Sequence, residues 1–376
     1  MSEMVNYTHN LRRRTGEKRR FLVRVVIFLF CTFLGFFCAY KTTVHVTQTM
    51  AVHVTQTKAA QTQRTETPQT QRTVAAQTQT TAPQAEKTEA LQTNQPTSEV
   101  DTSSATARFD TSATTQFSTS AQLNSANAIL IDRDSWAVLF DRHGTEKMYP
   151  ASMTKILTAV VAIEHISDLE TMIVLNETIF QPIYNADAVT AGFLPGESVR
   201  AVDLLYGLLL PSGAECAVGL AEYVAGSEGL FVGMMNEKAR EIGMTDSHFT
   251  NATGLHDENH YSTAMDMATL LHYALANDMF YSIITSPRYA VPSTDRHSDG
   301  ITFHSTFFSR ITSPAFDGGS ILGGKTGFTN EAGQCLASFA EKQGKNYILV
   351  TAGAAGNNQT QTLHIDDAFA IYSAIR

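Results

Sequence analysis

Apolar and polar positions divide this chain into three regions. Phe21 to Tyr40 is almost wholly apolar apart from Arg24, and Lys41 to about Ser120 is polar and rich in Thr, Gln and Ala. From Leu123 onward short apolar runs alternate with turns, the pattern of a globular domain. Ala128-Ile129-Leu130-Ile131-Asp132 and Ala137-Val138-Leu139-Phe140 flank Arg133-Asp134-Ser135 and predict a hairpin. Ile156 to Ile163 predicts a buried helix, with Pro150 in a first turn where its missing N–H costs nothing. Thr171 to Leu175 reads as a strand, and Val202 to Leu210 as a buried helix or strand. Cys216 to Ala225 reads as a helix, and Leu230 to Ile242 and Thr263 to Ala276 as amphipathic helices. Gln334 to Ala340 and Tyr347 to Ala352 predict strands about the turn Glu341-Lys342-Gln343-Gly344, and Asp366 to Ile375 a closing helix. Strands at both ends with helices between predict an α/β domain of the α+β type. Its antiparallel sheet would be built from both ends of the domain, flanked by helices and interrupted by a helical insertion.

The two leading regions predict a membrane tether. Twenty residues from Phe21 to Tyr40 would span roughly 30 Å as a helix, the thickness of a bilayer's hydrocarbon core. Arg24 can snorkel to the interface, and the basic residues before it place the N-terminus in the cytoplasm. Bulky Phe36, Phe37 and Tyr40 leave no small-x-small cleavage site, so an uncleaved signal anchor is expected over a cleaved signal peptide. The polar stretch repeats Val44-His45-Val46-Thr47-Gln48-Thr49 as Val52-His53-Val54-Thr55-Gln56-Thr57, and it is too polar to offset its chain entropy. As a flexible linker its r.m.s. span would be on the order of 50 Å. The expected organisation is a basic tail (1–20), a transmembrane anchor (21–40), a linker (41–121) and one catalytic domain (122–376).

Composition narrows the partners. The formal net charge is −9, yet residues 1–24 carry seven Lys/Arg against Glu3 and Glu17, a net +5 that leaves −14 for the rest. An acidic domain argues against nucleic acid. Cys31 and Cys38 lie in the apolar segment. Cys216 and Cys335 read as small buried hydrophobes, with a bridge between them as the alternative.

Three segments carry candidate chemistry. In Tyr149-Pro150-Ala151-Ser152-Met153-Thr154-Lys155, a helical spacing of three puts the Lys155 amine beside the Ser152 hydroxyl. Serine is a weak nucleophile without a base, and a lysine with a lowered pKa can be that base. By itself S-x-x-K is more often a capping serine and a solvated lysine. In Leu209-Leu210-Pro211-Ser212-Gly213-Ala214-Glu215, a tight turn presents the Ser212 hydroxyl. In Gly323-Gly324-Lys325-Thr326-Gly327-Phe328-Thr329, glycines allow close backbone approach while Lys325 and Thr326 offer a cation and a hydroxyl to an anion. His256-Asp257-x-x-His260 lacks the helical context and partner ligands of a zinc site, so no metal and no cofactor is expected. Asp366-Asp367 reads as charge at a helix N-terminus.

The order S-x-x-K, S-x-x, K-T-G resembles the active-site set of serine penicillin-recognising enzymes. From about Ala128 to the closing helix the chain is similar to low-molecular-mass penicillin-binding proteins, the serine-type D-Ala-D-Ala carboxypeptidases. Further matching blocks are Leu194-Pro195-Gly196-Glu197, Asn251-Ala252-Thr253-Gly254-Leu255-His256 and Tyr261-Ser262-Thr263-Ala264-Met265-Asp266-Met267-Ala268. The resemblance implies a β-lactamase/transpeptidase-like fold with Ser152 as nucleophile, Lys155 as base and Ser212 as proton relay. Burial and Lys325 would hold the Lys155 pKa down. Lys325, Thr326, Gly327 and Phe328 would bind substrate, with the N–H groups of Ser152 and Phe328 as the oxyanion hole. The implied partners are peptidoglycan stem peptides ending in D-Ala-D-Ala and β-lactams that acylate Ser152. One departure stands out: Ala214 occupies the second motif's usual asparagine, with Glu215 either a partial substitute or a solvent-facing helix start. No E-x-x-L-N follows Ser212, which argues against a class A β-lactamase. A non-catalytic wall-binding scaffold of the same fold is the rival reading. Many relatives continue into a second domain and a C-terminal anchor, whereas this sequence stops at Arg376.

Overall fold

The computed structural model describes residues 122–357 and 362–376. The basic tail, the apolar segment 21–40 and the linker 41–121 lie outside them, and no described helix is long and apolar enough to cross a membrane.

The predicted hairpin forms as β1 (Asn127–Asp132) and β2 (Val138–Arg142). Its tip is an Asx turn in which Asp132 Oδ1 accepts from the backbone N–H of Asp134 and Ser135. The three strands nearest the chain's end are β8 (Gly319–Thr329), β9 (Gly333–Lys342) and β10 (Lys345–Ala354). With β7 (Ala315–Phe316) they complete a six-stranded sheet in the order β2-β1-β10-β9-β8-β7. Its named pairings are all antiparallel, and β1 lies directly against β10 with Asn127 opposite Ala352. The expectation of one sheet assembled from both ends of the domain therefore holds.

Strand alternation divides the core into two layers. Leu336, Ala340, Leu349, Ala128 and Leu130 face α8 (Leu363–Ser373), whose Ile365, Ala368, Ile371 and Tyr372 are buried against them. Ile129, Cys335, Ala337, Ile348 and Val350 face the opposite way, into the helical insertion. That insertion comprises α1 (Lys155–His165), α2 (Phe180–Asn185), α3 (Ala201–Leu209), α4 (Ala214–Ala225), α5 (Glu228–Glu241), α6 (Ala264–Ala274) and α7 (Asp278–Ile284). Two small hairpins accompany it, β3 (Met172–Val174) with β4 (Ser198–Arg200), and β5 (Arg288–Val291) with β6 (Ile301–His304).

Several expectations change. Val202 to Leu210 is the helix α3, buried at every position, and the ion pair of Asp203 with Arg200 explains how it tolerates a carboxylate. Asp367 is not a helix-terminal charge. It is buried, accepts from the backbone N–H groups of Asn124 and Ser125 and from the Ser125 hydroxyl, and so ties the domain's first residues to α8. Cys216 and Cys335 are both free and buried, which removes the bridge. Elements α2, α7 and β4 to β7 are too short to carry a readable period.

Candidate active site

Ser152 sits in a one-turn 3₁₀ helix, Ala151–Thr154, that leads into α1. Pro150 caps this turn rather than opening the α-helix, and Ala151 takes a φ of 46°, a left-handed conformation unusual for alanine. Neighbours hold it there. Gly254, at φ +80°, lies so close that a Cβ would collide with the Ala151 carbonyl. On the other side a Cβ on Gly327 would come within 3.1 Å of both Pro150 O and Ser152 N. The nucleophile turn is thus clamped between the 251–256 loop and β8.

The predicted Ser–Lys pair is present. Lys155, 3% exposed, donates from Nζ to Ser152 Oγ at 3.2 Å and to the Thr253 carbonyl at 2.6 Å. Asn251 shapes the loop that supplies this carbonyl, its Oδ1 accepting from the N–H groups of Thr253 and Gly254. A second Ser–Lys pair lies nearby. Lys325 is fully buried on β8 and donates to Ser212 Oγ at 3.0 Å and to Thr326 O at 2.9 Å. Ser212 follows α3 with a φ of 75°. Thr326 Oγ1 is 2.7 Å from Thr306 Oγ1, and Thr306 N–H in turn reaches the Leu210 carbonyl. Thr306 escaped the sequence reading, and Thr253 was read only as part of a matching block, because their contacts join segments far apart in the chain.

Burial sets the electrostatics. It lowers the Lys155 pKa to about 8, against the opposing pull of Glu215. Burial first, then the charges of Lys155 and Arg310, push Lys325 well below the ordinary lysine value. Desolvation is thus the first cause at both lysines, and the mutual repulsion of two ammonium groups disfavours charging both at once.

Ala214 opens α4, buried, with its N–H on the Val189 carbonyl. Glu215 does not face solvent. It is fully buried, and its Oε1 accepts from the N–H groups of Ala191 (2.6 Å), Gly192 (2.9 Å) and Phe193 (3.3 Å). Its Oε2 is buried without a partner, and burial raises the carboxyl pKa. This carboxylate anchors the 189–193 segment behind the Ser212 turn. The nitrogens of His260 are occupied: Nδ1 accepts from Thr250 N–H, and Nε2 lies 2.8 Å from Thr154 Oγ1. Among the described residues, no group of His, Cys, Asp and Glu is arranged to hold a metal.

A buried lysine on a serine, beside a second lysine on a second serine, is the apparatus of a serine acyl-transferring enzyme. The D-alanyl-D-alanine carboxypeptidase family, peptidase S11, matches residues 112–356, and the chain belongs to that family. It is 33% identical over 254 residues to D-alanyl-D-alanine carboxypeptidase DacF of Bacillus subtilis, covering 65% of this chain and 62% of that one. It is 32% identical over 240 residues to DacC of Escherichia coli, covering 60% and 56%. The chain thus spans less than two thirds of these two relatives. Among solved structures, a D-alanyl-D-alanine carboxypeptidase from Mycobacterium tuberculosis superposes with a TM-score of 0.59 at 30% identity, over 68% of this chain and 91% of that one. The Streptomyces K15 DD-transpeptidase gives 0.61 at 23% identity over 68% and 97%, a likeness of fold.

Proposed function

We propose that this protein is a membrane-anchored, penicillin-binding serine D-alanyl-D-alanine carboxypeptidase that removes the terminal D-Ala from peptidoglycan stem pentapeptides. The observation that carries the reading is the 3.2 Å contact of the buried Lys155 amine with Ser152 Oγ. Neutral Lys155 takes the hydroxyl proton as Ser152 Oγ attacks the carbonyl between the two D-alanines. The N–H groups of Ser152 and Phe328 receive the developing oxyanion. The C–N bond breaks as the proton taken by Lys155 is relayed through the Ser212 hydroxyl to the departing amine, and D-Ala leaves with Lys155 neutral and Ser212 protonated again. Water then hydrolyses the ester, freeing the shortened peptide and restoring Ser152 and Lys155. Lys325 and Thr326 hold the substrate's C-terminal carboxylate, and that anion returns to Lys325 the proton affinity that burial removes.

Localisation follows from the sequence. Phe21 to Tyr40 anchors the chain in a bacterial cell membrane, with the basic tail cytoplasmic and the catalytic domain outside, on the linker 41–121. Ala214 favours one rival, a fold-retaining scaffold without turnover. Mass spectrometry of a stem pentapeptide incubated with the protein separates the two. Loss of one alanine, abolished by Ser152→Ala and unaffected by chelator, is the expected result. An intact pentapeptide and no labelling by a fluorescent penicillin, from folded protein, would overturn the proposal.

A further inference from the structure

Strand β8 pairs with β9 along its length, but with β7 only at Gly319 and Ser320. From Leu322 to Thr329 its other edge carries no strand among the described residues, and the nucleophile turn packs on β8 at Gly327. An open edge accepts an extended peptide as an added strand. Under the function proposed above, two fixed points orient that peptide: its carboxylate at Lys325 and Thr326, and its scissile carbonyl over Ser152 at the Phe328 N–H. Going from carboxylate to carbonyl follows β8 from 326 towards 328, so the peptide runs antiparallel to it. At roughly 3.4 Å per residue, the residue before the two alanines lies beside Thr329, where its side chain reaches the turn Asn330-Glu331-Ala332.

Glu331 stands at that turn with its side chain 44% exposed. The turn is fixed by the Ala332 N–H donating to Thr329 Oγ1 at 3.0 Å. Across from it is His256, from the loop that holds Lys155, with Nδ1 3.9 Å from Glu331 Oε2. That is too long for a hydrogen bond. Among the described residues, no other ionic or hydrogen-bonding group meets the Glu331 carboxylate. The His256 ring packs edge-on against Tyr149 at 4.7 Å, three residues before the nucleophile. The open strand end therefore leads to a carboxylate on one wall and an imidazole–phenol pair on the other.

We infer that Glu331, with His256 and Tyr149, forms a subsite for a stem peptide whose third residue carries an amino group, its ammonium paired with the Glu331 carboxylate and its methylenes along the rings. This inference rests on the carboxypeptidase reading. It gives Glu331 a role that a turn carboxylate pointing only at water would not have.

The test compares D-Ala release from Nα-acetyl-L-lysyl-D-Ala-D-Ala and from its norleucyl analogue, which lacks only the amine. A partly exposed ion pair predicts a kcat/KM up to roughly fivefold higher for the lysyl peptide, carried in KM and shrinking as salt is added. In Glu331→Gln the ratio of the two peptides falls to about one; because each protein is its own reference, a general loss of activity cancels. Equal turnover of both peptides by the unaltered protein overturns the subsite while leaving the carboxypeptidase reading intact. A lysyl preference that survives in Glu331→Gln overturns the assignment to Glu331. Absence of both turnover and penicillin labelling overturns the two readings together.

Discussion

At the scale of single residues, the site depends on one desolvated amine. In the proposed mechanism Lys155 is neutral when it accepts the Ser152 proton, and burial brings its pKa to about 8. Acylation by a β-lactam should therefore rise as pH increases through about 8 and fall off in acid. Glu215 raises that pKa by its charge. Replacing Glu215 with Gln leaves an oxygen for the three N–H groups but removes the charge, so the rising limb should move to lower pH in stopped-flow acylation. A limb that stays in place would mean that Glu215 acts only through the 189–193 segment. Ser152, Lys155, Ser212, Lys325 and Thr326 were singled out in the sequence by three short segments taken in order, and the fold places them in hydrogen-bonded pairs beside one another. The place of Glu215 was not legible. Its neighbours Ala191, Gly192 and Phe193 lie more than twenty positions away, and nothing local distinguishes a buried carboxylate from a solvated one.

At the scale of elements, what matters is how a strained turn is held. Ala151 pays for its left-handed conformation through the loop at Gly254 and the strand at Gly327. Gly254→Ala adds a methyl where the Ala151 carbonyl lies, at a φ that alanine resists. It should cost at least about 2 kcal/mol in urea unfolding and abolish penicillin labelling. Unchanged labelling would show that the turn does not need the loop. The same loop region depends on His260, whose pKa burial lowers to about 4. Below its ordinary value of 6.5 the unfolded chain takes up a proton that the folded one refuses, so stability is lost as pH falls from 6.5 towards 4. That group alone accounts for about 3 kcal/mol by pH 4, and His260→Gln should flatten the acid limb of thermal unfolding. Long elements such as α1, α5, β9 and β10 announced themselves through period and flanking turns. Of the short strands of the two hairpins, β3 was read from Thr171 to Leu175, whereas β4, β5 and β6 were not, since pairing rather than pattern makes them strands.

At the scale of the whole molecule, the sheet closes by pairing β1 with β10, Asn127 opposite Ala352. Partners so distant in sequence meet late in folding. During synthesis the nucleophile's helix therefore emerges well before Lys325, and Lys325 before the strands that brace its own. A chain cut after Lys342 keeps Ser152, Lys155, Ser212 and Lys325 but lacks β10, the strand joining β1 to β9. It should bind no fluorescent penicillin, whereas labelling of that fragment would show the site to be locally self-sufficient. If that fragment stays unlabelled, the pairing of first strand with last works as a completion check: Ser152, Lys155, Ser212 and Lys325 all precede β10, yet the site closes only when β10 arrives.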